Sequence, residues 1–363
     1  MGLQMNKEKD SISRQRNSSI ELLRIISMVG VIVLHYNNAG MGGGFKYVKE
    51  GSINQYYLYF TENLCICAVN LFILISAYFL TVNNERKMIK IVELIVQVIV
   101  FRLVFYIVNI IGGTGSLTLK GVFGSLLPIN YFAILYSVVY ILSPYINIML
   151  DNLDRKKFQK LLITLVIIFS VWTILVDFLE SVTGLTIIGL STVGMYGSQY
   201  GYTVVNFLLV YFIGAYIRRN DIRISLVKAI CGIVVVFIVM YISSIMEHIL
   251  FGSTVTWNYN NPFVILFAVF IFLLFLIIQF QSRLINEMAK AAFTCFLFHV
   301  EVISYFNVEE VVNGNILFLI IHQFGGAIIL YAISYIVYKV YYLCSHWFIK
   351  LLAPLCNKIN ISL

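Results

Sequence analysis

The stretch ELLRIISMVGVIVLHYNNAG, residues 21–40, is an apolar run that nevertheless carries Glu21, Arg24 and His35. On a helix, at about 100° per residue, the steps from Arg24 to His35 make three turns plus about 20°, so the two share a face, with Glu21, Ser27 and Asn38 within about 60° of it. Leucine, isoleucine and valine fill the rest of the circumference. An arginine fork suits a phosphate, and an imidazole can take a proton from a hydroxyl near neutral pH. At 1.5 Å per residue, His35 stands about 16 Å beyond Arg24 along the axis. Ionisable groups inside a membrane helix are costly unless paired or wet, which makes each a functional candidate. A plainer reading stays open for both. Arg24 could snorkel to the interface and pair with Glu21, and His35 could be a buried ring satisfied by a carbonyl.

Other polar groups fall at comparable depth. His299, in AAFTCFLFHVEV, is followed by Glu301, and His322 precedes Gln323 in the last apolar run. The two histidines could line one cavity or bond across helices. Asp177, Glu180, Glu247 and His248 fall at helix ends, where solvated surface is the expectation. Tyr196, Tyr200, Tyr202, Trp257 and Tyr259 lie beside Asn and Gln in outer loops, suited to interface anchoring or to a sugar. Cys65, Cys67, Cys231, Cys295, Cys344 and Cys356 lack zinc-ligand spacing and read as packing residues, so no metal site is expected. Phosphate-binding, zinc-protease and nucleophile-elbow motifs are absent, and GMGGGF lacks the third glycine of a dinucleotide loop.

The elements that must hold these residues follow from composition. The 363 residues are 60% hydrophobic and only 12% charged, too apolar for a water-soluble domain and expected of an all-α polytopic integral membrane protein. Apolar runs near 20–39, 57–80, 89–111, 127–149, 161–180, 203–219, 226–249, 262–280, 291–307 and 315–345 make about ten transmembrane helices. Those containing Asn63 and Asn70, or Gln323 and Gly325, could be broken. With the N-terminus inside, twenty of the 25 basic residues fall in inner segments, three in outer loops and two, Arg24 and Arg102, within helices. That split predicts both termini on the cytoplasmic side of the plasma membrane. It also accounts for the net charge of +8 through topology and anionic lipid, so no nucleic-acid partner is expected. The reading is a cytoplasmic tail over 1–19, one membrane domain over 20–348 and a cytoplasmic tail over 349–363. The long polar start makes the first helix an expected uncleaved anchor. Two outer loops, GMGGGFKYVKEGSINQ and SVTGLTIIGLSTVGMYGSQYGY, could cover a site.

Arg24, ten residues, then His35 resembles the Arg-x10-His signature of membrane acyltransferase family 3, the family of surface-polysaccharide O-acetyltransferases. SSIELLRIISMVGVIVLH resembles that family's opening helix, with an acidic residue three before the arginine. NLFILISAYFLT resembles its aromatic–aliphatic run ending in Ser and a small residue, here Ser76 and Ala77, where the family often has Ser-Gly. NYFAILYSVVYILSPYIN, FLLVYFIGAYIRR and FTCFLFHVEV resemble later helices, so the likeness spans residues 18 to about 305. The family's basic cluster before the third helix is reduced here to NNERKMIK.

The resemblance implies an acyl-CoA-dependent O-acetyltransferase that binds no cofactor. Acetyl-CoA is its donor substrate, and its acceptor is a hydroxyl of a cell-surface or lipid-linked glycan at the membrane. In that frame His35 is the general base, Glu21 orients Arg24, and Arg24 with Arg86 and Lys87 holds the donor. Ser76, His299, Glu301 and His322 are channel or supporting residues. A transporter, flippase or polysaccharide polymerase using the same polar stripe is the rival reading.

Overall fold

The structure, a computed structural model, describes residues 17–363, so most of the expected 1–19 tail, including Lys7, Lys9, Arg14 and Arg16, lies outside the described residues. Those described are all-α, with two isolated bridges, Arg86 to Ile361 and Ile188 to Tyr196, and no longer strand. Nine helical stretches among them are long and apolar enough to cross a membrane.

Helix α1 (Ser18–Asn37) starts where Asn17 accepts a hydrogen bond from the Ser19 backbone N–H, which satisfies one of the orphan donors of the first turn. Most of α1 is buried, so it is an inner helix and its polar stripe faces protein. The run over 57–80, expected as a helix that could be broken, is two, α2 (Ile53–Cys65) and α3 (Ala68–Leu80), broken at Ile66 and Cys67. The two asparagines flanking that break serve as cross-links. Asn63 donates to Ser244 Oγ (2.8 Å) and Asn70 to the Tyr259 carbonyl (2.7 Å).

Helix α4 (Ile89–Ile111) buries only Val98 and Phe101, the pattern of an outer helix against lipid. The short α5 (Leu119–Leu126) leads to α6 (Tyr131–Asp151), which holds Pro144 in its interior. Proline leaves the Tyr140 carbonyl without its helical donor, and Ser143 Oγ supplies a replacement at 2.7 Å. Next come α7 (Arg155–Val166) and α8 (Trp172–Thr183), joined through a π-helical turn. Helix α9 (Val204–Arg219) has 16 residues, shorter than a spanning helix, and buries both Asn206 and Tyr211. Enclosed by neighbouring helices, it need not match the lipid thickness by itself.

Helices α10 (Leu226–Phe251) and α11 (Pro262–Ile277) follow, then α12 (Arg283–Met288) and α13 (Ala292–Val302). Ser18 ties the start of α1 to the start of α12, accepting from the Ser282 N–H (2.8 Å) and donating to Asn286 Oδ1 (2.9 Å). Helices α1 and α13 therefore rise from one side, next to each other. The last run is α14 (Ile316–Ile320), a π-helical segment over Ile321–Gly325, and α15 (Gly326–Asn357). The expected irregularity at Gln323 and Gly325 is thus a π segment. The helix continues past the expected boundary at 348, and Ile361 then pairs with the Arg86 backbone (2.7 and 3.1 Å).

Two carboxylates expected on solvated helix ends are loop anchors instead. Buried Glu247 accepts from Ser253 Oγ, the Val255 N–H and both donors of Thr256 at 2.6–2.9 Å. Asp177 accepts from the Ser198 backbone N–H (2.9 Å), Asn258 Nδ2 (2.7 Å) and the Ser198 hydroxyl. Loop backbone that packs down on a bundle needs acceptors, and these carboxylates provide them.

Candidate active site

His35 lies in the last turn of α1, whose end is closed when the following loop folds back and Gly42 N–H donates to the His35 carbonyl at 2.9 Å. On α13, His299 is fully buried and faces it. The ring centroids lie 4.6 Å apart with planes 21° from parallel, and His299 Nε2 lies 2.6 Å from His35 Nδ1. The other nitrogen of His299, Nδ1, lies 2.9 Å from the Cys295 carbonyl.

A carbonyl only accepts, so Nδ1 of His299 carries the proton and, in the neutral ring, its Nε2 is an acceptor. Nδ1–H of His35 must then be the donor to that Nε2. This assignment follows from the hydrogen-bond chain Cys295–His299–His35. It leaves Nε2 of His35 with a free lone pair, the state a general base requires.

Below the pair lies a cavity of about 290 Å³ bounded by Arg24, Ser76, Tyr136, Lys290, Phe293 and Phe296, among others. Arg24 and Lys290 mark its basic end. Phe296, at the other end, has its ring centroid 5.8 Å from that of His299, and Val31, also on the wall, is one turn from His35. The cavity therefore runs along the α1 stripe from the basic end toward the imidazole pair, and neither histidine is among the residues that bound it. Arg24 Nη1 lies 3.3 Å from Glu21 Oε2, with the Arg24 side chain 31% exposed, so the guanidinium is steadied on one side and open on another. Ser76 Oγ donates to the Phe72 carbonyl (2.8 Å) on the cavity wall.

The remaining expected site residues are elsewhere. Arg86 is buried, and its guanidinium makes four hydrogen bonds, to Ser143 Oγ and the carbonyls of Leu80, Asn83 and Glu85, at 2.6–2.8 Å. It clamps the turn after α3 onto α6, and neither it nor Lys87 lines the cavity. Lys290, which sequence reasoning counted only as an inner-side charge, supplies the second basic group, bonded to Glu287 at 2.5 Å. Glu301, two residues past His299, points to the opposite side of α13 and is exposed. His322 does not join the pair; its Nδ1 bonds the Tyr36 hydroxyl at 2.9 Å, on another face of α1.

Next to the pair, at the C-terminal end of α1, is a polar cluster that sequence reasoning did not single out. Asn37 donates to Glu62 Oε2 (2.9 Å), Gln323 donates to Asn37 Oδ1 (2.7 Å), and the Tyr57 hydroxyl donates to Gln323 Oε1 (2.6 Å). Glu62 sits in the apolar run 57–80, which was the available signal.

Against known families, residues 17–339 match the one described as an acyltransferase domain, acyltransferase family 3. Neither a curated protein nor a solved structure matches the chain. The match runs from the cap of α1 into α15 and so takes in both histidines, the cavity between them and Arg24, and every membrane-spanning stretch at least in part. This chain is a membrane acyltransferase and belongs to acyltransferase family 3.

Proposed function

We propose that the chain moves an acetyl group from acetyl-CoA to a hydroxyl of a cell-surface or lipid-linked glycan, in the plasma membrane, with both termini cytoplasmic. The observation that carries the proposal is the Cys295–His299–His35 chain, which leaves His35 Nε2 unprotonated. As the acceptor oxygen attacks the thioester carbonyl, its proton passes to that nitrogen. The tetrahedral intermediate then collapses, the carbon–sulfur bond breaks, and the proton moves from Nε2 to the departing sulfur. CoA leaves as a thiol, the acetyl ester remains on the acceptor, and His35 is neutral again.

His299 is the positioning residue in this scheme. It holds the His35 tautomer and, through Nε2, supports the positive charge His35 carries in mid-reaction. Arg24 and Lys290 meet the donor's phosphates at the basic end, and Glu21 steadies the Arg24 fork. A cavity of about 290 Å³ accommodates the acyl-bearing arm, leaving the nucleotide outside.

Membrane vesicles containing the protein, supplied with acetyl-CoA radiolabelled in the acetyl group, are expected to transfer label to membrane glycan. Mild alkali, which cleaves oxygen esters, is expected to release it. Vesicles that leave all label in acetyl-CoA would refute the proposal, and alkali-stable label would refute O-acylation.

A further inference from the structure

The two ends of the cavity beneath the histidines differ in chemistry. Arg24 and Lys290 stand at one end, and the last wall residues toward the other are Val31 on α1 and Phe296 on α13. His35 follows Val31 by one helical turn, and His299 follows Phe296 by one turn. On both helices the open space therefore stops one turn, about 5 Å, short of the histidine pair. Val69 on α3 joins the same end, for its neighbour Ala68 has its Cβ 3.5 Å from where a Cβ on Gly30, the residue before Val31, would stand. This end is wholly apolar.

Phe296 is its largest side chain, and it is held in place. The ring is buried, with its centroid 5.3 Å from that of Phe132, 6.2 Å from that of Phe293 and 5.8 Å from that of His299. Phe132, on α6, is backed in turn by Phe207 of α9 at 5.8 Å. A ring wedged among others in a close-packed interior gives way to an intruding group only at a cost. A donor whose phosphates meet Arg24 and Lys290 enters the cavity with its acyl group leading. The acyl group is thus the part that meets Val31, Val69 and Phe296, and the room left there limits its length.

We infer that Phe296 is the specificity-determining residue for the acyl group, and that its ring admits acetyl and turns away longer chains. The acetyl methyl packs against the ring, and the thioester carbon stays near the level of Val31. An acceptor oxygen fills the turn that remains, because its hydrogen bond to His35 Nε2 and its approach to the carbonyl carbon each span about 3 Å. A longer chain has to displace a ring that its neighbours hold. The inference rests on the acetyl-transfer reading above and adds to it the residue that selects the acyl length; its test separates the two.

Two measurements are made on wild type, Phe296→Ala and the milder Phe296→Leu. In membrane vesicles, acetyl-CoA and butyryl-CoA, each radiolabelled in the acyl group, are compared by the initial rate of alkali-labile labelling of glycan. On the purified protein in detergent, binding of the unreactive thioethers S-ethyl-CoA and S-butyl-CoA is measured by calorimetry. Wild type is expected to favour acetyl over butyryl by about 10²-fold, the scale of two extra methylenes in a filled pocket, and to bind the ethyl thioether about tenfold or more tightly than the butyl one. Phe296→Ala is expected to bring both ratios to within about threefold of unity, and Phe296→Leu to fall between. A ratio is the readout because a merely structural loss lowers every donor alike. Unchanged ratios in both variants would overturn the inference, as would a wild type that handles the two chain lengths equally. If wild type discriminates between the thioethers and Phe296→Ala does not, yet no vesicle glycan is labelled from either donor, the role of Phe296 stands and the acetyl-transfer reading falls.

Discussion

His35 gives one ring nitrogen to His299 and leaves the other free to take a proton, so the two histidines carry different burdens. Glutamine at 299 can still accept from His35 Nδ1–H. His299→Gln is therefore expected to keep single-turnover acetyl transfer within about tenfold of wild type, whereas His299→Leu, with no acceptor, loses about 10²-fold and His35→Ala about 10²- to 10⁴-fold. If His299→Gln were as inactive as His35→Ala, His299 would itself be the base. Arg24→Lys is expected to raise the KM for acetyl-CoA about tenfold, because a point charge does not reproduce the fork. It should leave turnover of S-acetylpantetheine, which has no phosphate, nearly unchanged; equal loss with both donors would make Arg24 structural. The Glu21, Arg24 and His35 stripe was legible because helical period places it and because such residues are rare in apolar runs. The partnership of His35 with His299 joins positions 264 residues apart, and no local pattern encodes it. Glu62 was visible as an acid in an apolar run, but its bond to Asn37 on another helix is set by the fold. Arg86 misled because an arginine near a helix end looks the same whether it faces a ligand or, as here, four internal acceptors.

Helix existence was largely readable, whereas helix surroundings were not. Apolar composition does not distinguish a surface against lipid, as on α4, from one against protein, as on α9. The shortness of α9 and the length of α15 consequently emerge only with the packing. The same limit hid the anchoring roles of Asp177 and Glu247, since a carboxylate at a helix end is solvated or buried according to the loop above it. One packing detail bears on the family likeness. Gly214 on α9 meets α3 so closely that an added Cβ would stand 2.6 Å from Ala77 Cβ and 3.1 Å from the Leu74 carbonyl. The small residue at 214 makes room for Ala77, which stands where the family often has glycine. Gly214→Ala is expected to destabilise the protein by about 1–3 kcal/mol through overpacking, and Ala77→Gly in the same chain to restore most of it. Thermal unfolding in detergent of the two single variants and the double variant measures this. Additive losses would mean that the two positions are not coupled.

Across the molecule, the basic residues predict which side each end faces. In a chain whose six cysteines are replaced by alanine, Ser116→Cys, between α4 and α5, is expected to react with an impermeant maleimide from outside the cell. Gln159→Cys, near the start of α7, is expected to react only after the membrane is opened. Both positions are exposed, so equal labelling from outside would overturn the topology. That orientation puts Arg24 and Lys290 on the cytoplasmic side, where acetyl-CoA is made, and His35 in the outer half. The acetyl group then travels about 16 Å along α1 between a donor that stays inside and an acceptor reached from outside. The most direct test uses sealed proteoliposomes of known orientation, glycan acceptor on the outer face and radiolabelled acetyl-CoA on the cytoplasmic face, with wild type and His35→Ala inserted in equal amounts. The account predicts alkali-labile label on the outer glycan with wild type and at least about 10²-fold less with His35→Ala. Equal labelling by the two proteins, or no transfer from acetyl-CoA by the wild type, would contradict it.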